Sequence, residues 1–177
     1  MVGVLEAGEI RVDAGVGGIA RLFFGREALR ALQRRQPGVA ALDESEFVRL
    51  MAMPNHHVAI ESPNHLVVGY ALAFNSNAPY DGEEFQIFQR KLLKPFIYID
   101  QVATRIDSRR MGIGSAIYDA LENEARLCDA STLCCEVNID PPNPESMAFH
   151  QKRGFSQSEI LATADGRRVA LLIKDVD

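Results

Sequence analysis

FIYIDQVATRIDSRRMGIGSAIYDALENEARL, residues 96–127, reads as a strand, a short basic link, a glycine loop and a helix. The strand is residues 96–104, and the loop is Arg109-Arg110-Met111-Gly112-Ile113-Gly114, followed by Ser115. In the helix, Ile113, Ala116, Ile117, Ala120, Leu121, Ala125 and Cys128 recur at the spacing of one buried face. Glu122, Glu124 and Arg126 fall off that stripe and are expected to face water. The first turn of a helix offers amide N–H groups that lack partners inside the helix and carry the positive end of its dipole. Gly112 and Gly114 leave those amides bare, and Arg109 and Arg110 add positive charge, so the loop suits a phosphate or pyrophosphate. The same glycines also suit a tight strand-to-helix turn, because a short glycine pattern is weak evidence by itself. A P-loop would end Gly-Lys-Ser/Thr, whereas this loop continues Gly-Ser-Ala. A dinucleotide fold would place a small residue at Ile117 and would put the loop near the chain start.

Outward from this stretch, the chain has 177 residues, enough for one domain with a proper core. A net charge of −5 argues against a general nucleic-acid binder. No apolar run approaches the roughly 20 residues that span a bilayer. The start, MVGVLEAGEIR, lacks the basic head and apolar block of a secretory signal. Cys128, Cys134 and Cys135 form no CxxC pair, and a reduced, cytoplasmic setting is expected.

Residues 9–13 suggest a short strand, and residues 18–35 carry a helical apolar pattern that Gln36-Pro37-Gly38 stops. Asp43 is expected to cap a second helix ending near Met53, with Glu46 completing a capping-box-like pair. Residues 57–61 and 66–74 read as two strands turned at Ser62-Pro63-Asn64. The adjacent His56 and His57 make a poor metal site, and no metal is expected. Residues 75–94 are polar, with Phe85, Phe88 and Leu92 at helical spacing. Tyr80, Asp81, Glu83 and Glu84 there could meet a substrate or form a solvated loop. Residues 131–139 (STLCCEVNI) form another strand. A helix over 144–152 follows, with Pro144 at its first position and Gly154 beyond its end. Residues 155–162 and 167–174 form a hairpin turned at Asp165-Gly166.

The segment from 96 to 155 resembles the core of the GNAT N-acetyltransferase superfamily. Three features match in order: the strand leading to the Arg-x-x-Gly-x-Gly loop and helix, a parallel strand ending in a polar turn with Asn143, and NPESMAFHQKRGF from Asn143 to Phe155. CEVNIDPPNPES followed by AFHQKRGF further resembles a little-characterised bacterial group of predicted acetyltransferases. The resemblance implies a single α/β domain over residues 1–177. Its sheet would be mixed and mostly antiparallel, with helices on both faces and two central parallel strands, 96–104 and 132–139, that splay. It also implies acetyl-CoA as the acyl donor and a small amine or amino-acid-like acceptor, attacking directly in a ternary complex. A homodimer is left open, and no nucleic-acid or membrane partner is expected. The alternatives are a non-catalytic acyl-CoA-binding or sensing module, and a nucleotide-binding enzyme using the same loop.

In the residues, the resemblance puts pyrophosphate over Arg110, Met111, Gly112, Ile113, Gly114 and Ser115, with Arg109 also among the cofactor-binding residues. The pantetheine arm would pair with the backbone of Val102, Ala103 and Thr104, which also supplies the oxyanion donor. Asn143 and Ser146 would line the other side of the arm. The superfamily usually has Tyr, placed to protonate the leaving sulfur, where this chain has His150. Histidine can donate a hydrogen bond as neutral N–H or as imidazolium, or can simply pack. An acceptor amine is mostly protonated at pH 7 and needs a base. Asp100 shares a face of its strand with Tyr98 and Val102, while Ile97 and Ile99 suggest that the other face is core. Partial burial would raise the Asp100 pKa and suit it as that base. Glu136 is the competing base or an anchor for the amine, and Tyr80 and Tyr98 are expected to contact the substrate.

Overall fold

The computed structural model describes residues 11–14, 18–21, 43–62 and 67–176. In chain order the strands are β1 (Arg11–Ala14), β2 (Gly18–Arg21), β3 (Val58–Glu61), β4 (Val67–Asn75), β5 (Phe96–Thr104), β6 (Thr132–Asp140), β7 (Ser156–Ala162) and β8 (Arg168–Asp175). The helices are α1 (Glu44–Met51), α2 (Glu83–Lys91), α3 (Ile113–Leu127) and α4 (Pro144–Lys152). β1 and β2 form a two-stranded sheet, and the remaining strands form a mixed sheet in the order β3-β4-β5-β6-β8-β7. β5 and β6 run parallel, whereas β3–β4, β6–β8 and β7–β8 are antiparallel. The chain divides into two compact units whose boundaries fall inside β4, β5 and α3 and on either side of Met53–His56, which belongs to the second unit.

The first unit holds β1, β2, α1, β3, the start of β4, the end of β5 and the first half of α3. The helix expected from Gly18 is corrected here: residues 18–21 are β2, with Ala14 opposite Gly18 and Arg11 opposite Arg21. Gly15, Gly17 and Gly18 each weaken a helix, and strand pairing overrides the apolar spacing of the residues that follow. Residues 22–42, with the rest of that expected helix and its stop, lie outside the described residues, as do the turn residues Pro63 and Asn64. Asp43 caps α1 as expected, accepting the amide of Glu46 at 2.8 Å. Glu46 itself points its carboxylate at Arg49, at 2.6 and 2.8 Å, so that half of the capping box is replaced by an i,i+3 ion pair.

The second unit holds the end of β4, α2, the start of β5, the second half of α3, β6, α4 and the terminal hairpin. Phe85 and Phe88 of α2 pack with Phe96 and Tyr98 of β5, at ring-centroid distances of 5.4 to 6.4 Å. Tyr80 stacks on Phe74 at 4.4 Å. Tyr98 is only 1% exposed, so the start of β5 is covered on both faces rather than on the Ile97/Ile99 face alone. Asn143 caps α4 by accepting the Ser146 amide at 3.2 Å, and Gly154, at φ +87°, ends it in the left-handed region. Gly166, also at φ +87°, turns the hairpin.

The expectation that Glu122 and Glu124 face water is corrected. Glu122 accepts hydrogen bonds from Arg153 and Lys174, each at 2.6 Å, and Glu124 lies 3.5 Å from His56. Both acidic side chains are 13% exposed. Periodicity identifies the apolar stripe of α3, but it says nothing of cations brought alongside from β8 and the end of α4. Arg126 is exposed as expected. Replacing Glu122 by alanine would leave Arg153 and Lys174 without their shared counter-charge. The expected loss is roughly 2 kcal/mol, between the value of an exposed pair and that of a buried one, read as a lower urea midpoint. A change under about 0.5 kcal/mol would show that the cluster contributes little.

Candidate active site

In the first unit, the glycine loop follows a short 3-10 turn, Ile106–Ser108. Arg109, Arg110, Met111, Gly112 and Ser115 are exposed, and Ile113 and Gly114 are half-buried. Arg110 has φ +62° and Gly112 has φ +82°, so the chain makes a left-handed approach to the helix start. A Cβ on Gly112 would meet nothing within 4 Å, which rules out packing as the reason for glycine there. The Gly112 carbonyl accepts the Ala116 amide at 2.9 Å and so opens α3. A different glycine seats the helix: a Cβ on Gly69 of β4 would lie 2.5 Å from Ile113 Cγ2 and 3.2 Å from the Ala103 carbonyl. No local sequence signal marks Gly69 for this role. Val102 and Thr104 are half-buried and Ala103 is buried.

In the second unit, β5 and β6 pair from Phe96↔Thr132 to Ile99↔Cys135. The register ends there, although β5 runs on to Thr104 and β6 to Asp140. The parallel strands therefore part at Asp100 and Glu136. These two carboxylates occupy the next register positions, on the face that carries Tyr98 and Cys134.

Each carboxylate receives a phenol. Tyr80 Oη donates to Asp100 Oδ1 at 2.6 Å, and Tyr98 Oη donates to Glu136 Oε2 at 2.9 Å. Burial, together with these carboxylates, pushes both phenols above the ordinary tyrosine pKa, so they stay protonated and donate. Burial pushes the Glu136 carboxyl well above the usual carboxylate range, and the charges of Asp100 and Glu84 add to the rise. The Tyr98 hydrogen bond opposes this without cancelling it.

His150 is 7% exposed and sits edge-on to Phe149 and Phe155. Its Nδ1 lies 2.8 Å from the Ser146 carbonyl and 3.4 Å from Ser146 Oγ. A carbonyl only accepts, so the proton sits on Nδ1 and the neutral ring keeps its lone pair on Nε2. Burial lowers the imidazolium pKa below its ordinary value, and nearby Arg153 adds to this, although the Ser146 carbonyl opposes it.

The second unit thus brings together Tyr80 with Asp100, Tyr98 with Glu136, and Asn143 with Ser146 and His150. Sequence reading missed Arg167 and Asn138. Arg167 donates to Asn138 Oδ1 at 3.2 Å, Glu84 Oε1 at 3.3 Å and Asp165 Oδ2 at 2.7 Å. The one signal was a cation directly after the Asp165-Gly166 turn. Among the described residues, no group of three or more His, Cys, Asp or Glu side chains could hold a metal ion. Nor is any of their helices long and apolar enough to cross a membrane.

Residues 26–155 match the sequence profile described as the Acetyltransferase (GNAT) family. No curated protein matches the sequence. The fold is similar to that of Ard1 from Thermoplasma volcanium, with TM-score 0.67 and 19% identity over 92% of this chain and 99% of that one. It is also similar to Chaetomium thermophilum Naa20 in complex with a bisubstrate analogue, with TM-score 0.67 and 16% identity over 87% and 84%. The ribosomal-protein-S18-alanine N-acetyltransferase from Escherichia coli superposes with TM-score 0.63 and 16% identity over 85% and 87%.

A carboxyl whose pKa is raised on folding holds its proton more tightly in the folded chain. Its contribution to stability is full below the unfolded value of about 4.3 and is lost as pH rises toward the folded value. Glu136→Gln removes this titration. The melting temperature of the wild type should therefore fall relative to Glu136→Gln between pH 5 and pH 8. Parallel curves for the two proteins across that range would show that folding does not raise the Glu136 pKa.

Proposed function

This chain belongs to the GNAT acetyltransferase family, and we propose that it acetylates the primary amine of a small or amino-acid-like acceptor by direct attack in a ternary complex. The observation that carries this reading is the pair of carboxylates at the parting of β5 and β6, one of them, Glu136, with a raised pKa. Among similar folds, one is named as a ribosomal-protein-S18-alanine N-acetyltransferase and another as a nourseothricin acetyltransferase. Residues 1–177 act as one catalytic domain in this reading.

Acetyl-CoA, the family's acyl donor, supplies an activated acetyl thioester. Its pyrophosphate would be held by Arg109, Arg110 and the amides from Met111 to Ser115. The fit rests on the exposed basic loop and on the empty space beside Gly112. In the first unit, the backbone of Val102, Ala103 and Thr104 would hold the pantetheine arm. In the second unit, the Asn143 side chain caps α4, so its contribution is to fix that helix start.

Glu136 takes the amine's proton. An amine has a pKa near 10, so a base with a raised pKa is better matched to it than an ordinary carboxylate. Tyr98 holds the Glu136 carboxyl in place. Asp100, anchored by Tyr80, orients the ammonium and keeps the Glu136 proton affinity high. His150, with Nδ1–H turned to Ser146, accepts at Nε2 and does not protonate the sulfur. A thiol pKa of about 8.5 makes thiolate a tolerable leaving group without a strong acid. The free thiols Cys128, Cys134 and Cys135 suit a reducing compartment.

The test is release of free CoA from acetyl-CoA with a panel of amines and amino-acid amides. With the best acceptor, Glu136→Gln should lower kcat by about 10²-fold at neutral pH, the usual scale for loss of a general base. The KM for acetyl-CoA should hardly move. Turnover by Glu136→Gln at the wild-type rate would remove Glu136 from the role of base. In the loop, Gly112→Val should abolish most CoA binding, measured by calorimetry on protein whose circular dichroism is unchanged. Wild-type CoA affinity in that variant would refute the pyrophosphate assignment.

A further inference from the structure

Arg167 reaches three parts of the second unit: the hairpin turn at Asp165, strand β6 at Asn138 and helix α2 at Glu84. Asn138 stands two residues beyond Glu136 and so on its face of β6. Glu84 is buried, and its neighbour Glu83 binds the amide of Ala164 at 2.9 Å, so α2 and the hairpin meet at two consecutive acidic residues. The titratable groups around Glu136 are Tyr98 and Asp100 from β5, Tyr80 from the segment before α2, Glu84 from α2 and Arg167 from the hairpin. Cys134 and Cys135 add two thiols on its own strand. Arg167 is the cation among these named groups of the described residues.

The geometry points to Arg167 and Glu84 as a positioning pair that sets the charge around Glu136, Arg167 favouring its carboxylate and Glu84 its neutral acid. This rests on the reading of Glu136 as the base. Held together, the two opposed charges act on Glu136 in opposite directions. Removing either one exposes the other, so the two single substitutions act with opposite sign. An ion pair that merely pinned the hairpin to α2 would be broken equally by either substitution, and both would act in the same direction.

The experiment is a 13C-carboxyl NMR titration of Glu136 in the full, ligand-free chain. It is paired with the pH profile of kcat/KM for acetyl-CoA and the amine that releases CoA fastest. Arg167→Met should raise the Glu136 midpoint by about half a pH unit or more, the effect of one nearby charge partly screened by water. Arg167→Lys should restore most of that shift. Glu84→Gln should lower the midpoint by a similar amount, and the acidic limb of kcat/KM should follow in each case. Shifts in the same direction, or none, would overturn the proposal. The NMR reading needs no activity, and Glu84→Gln keeps the test alive if Arg167→Met fails to fold. Opposed NMR shifts in a protein whose Glu136→Gln variant keeps the acidic limb would uphold the pair and refute Glu136 as base.

Discussion

Parallel pairing of β5 and β6 stops where the next pair would set Asp100 directly opposite Glu136. Facing carboxylates across a ladder repel when both are ionised, and a raised pKa relieves that repulsion by favouring the protonated form of one. The four pairs before that point are apolar, aromatic or thiol-bearing side chains together with one threonine, and they join without such a penalty. Beyond it, β6 stays anchored on its other side, with Glu136 opposite Leu171 and Val137 opposite Ala170 on β8. The strand can therefore leave β5 without losing its place in the sheet. The acetyltransferase reading uses the parting of these strands for the pantetheine arm.

The surroundings of the two carboxylates follow from that constraint. Partly buried acids need donors, and the aromatic packing of α2 against β5 supplies two phenols at hydrogen-bond distance. Neither phenol can neutralise its acid. The Glu136 pKa rises as a result, because burial and neighbouring charge outweigh one hydrogen bond. His150 shows the same logic with the opposite outcome. Its ring is boxed by Phe149 and Phe155, and this burial favours a neutral ring, while the Ser146 carbonyl, which opposes that, fixes its tautomer.

The phosphate loop depends on small residues for two separate reasons. Gly112 has open space beside it and a left-handed φ, so its demand is conformational. Gly69 has an ordinary conformation but no room, so its demand is close packing under Ile113. Only the first of these can be recognised within the loop motif. The second lies more than forty residues earlier and is set by the contact of β4 with α3.

Local pattern alone determined β5, α4, the terminal hairpin, the cap at Asp43 and the family motifs. In each, neighbours in sequence fix the outcome: strand alternation, Pro144 at a helix start, Asp165-Gly166 in a turn. It misjudged Gly18, where cross-strand pairing overrode helical spacing, and Glu122 and Glu124, whose partners Arg153, Lys174 and His56 arrive from distant segments. Asp100, Glu136, Tyr80 and Tyr98 could be nominated singly from sequence. Which phenol meets which acid, and which acid carries the raised pKa, came only from the tertiary structure. Hydrogen-bond partners and desolvation are properties of contacts between segments, and Arg167 joins the site solely through such contacts.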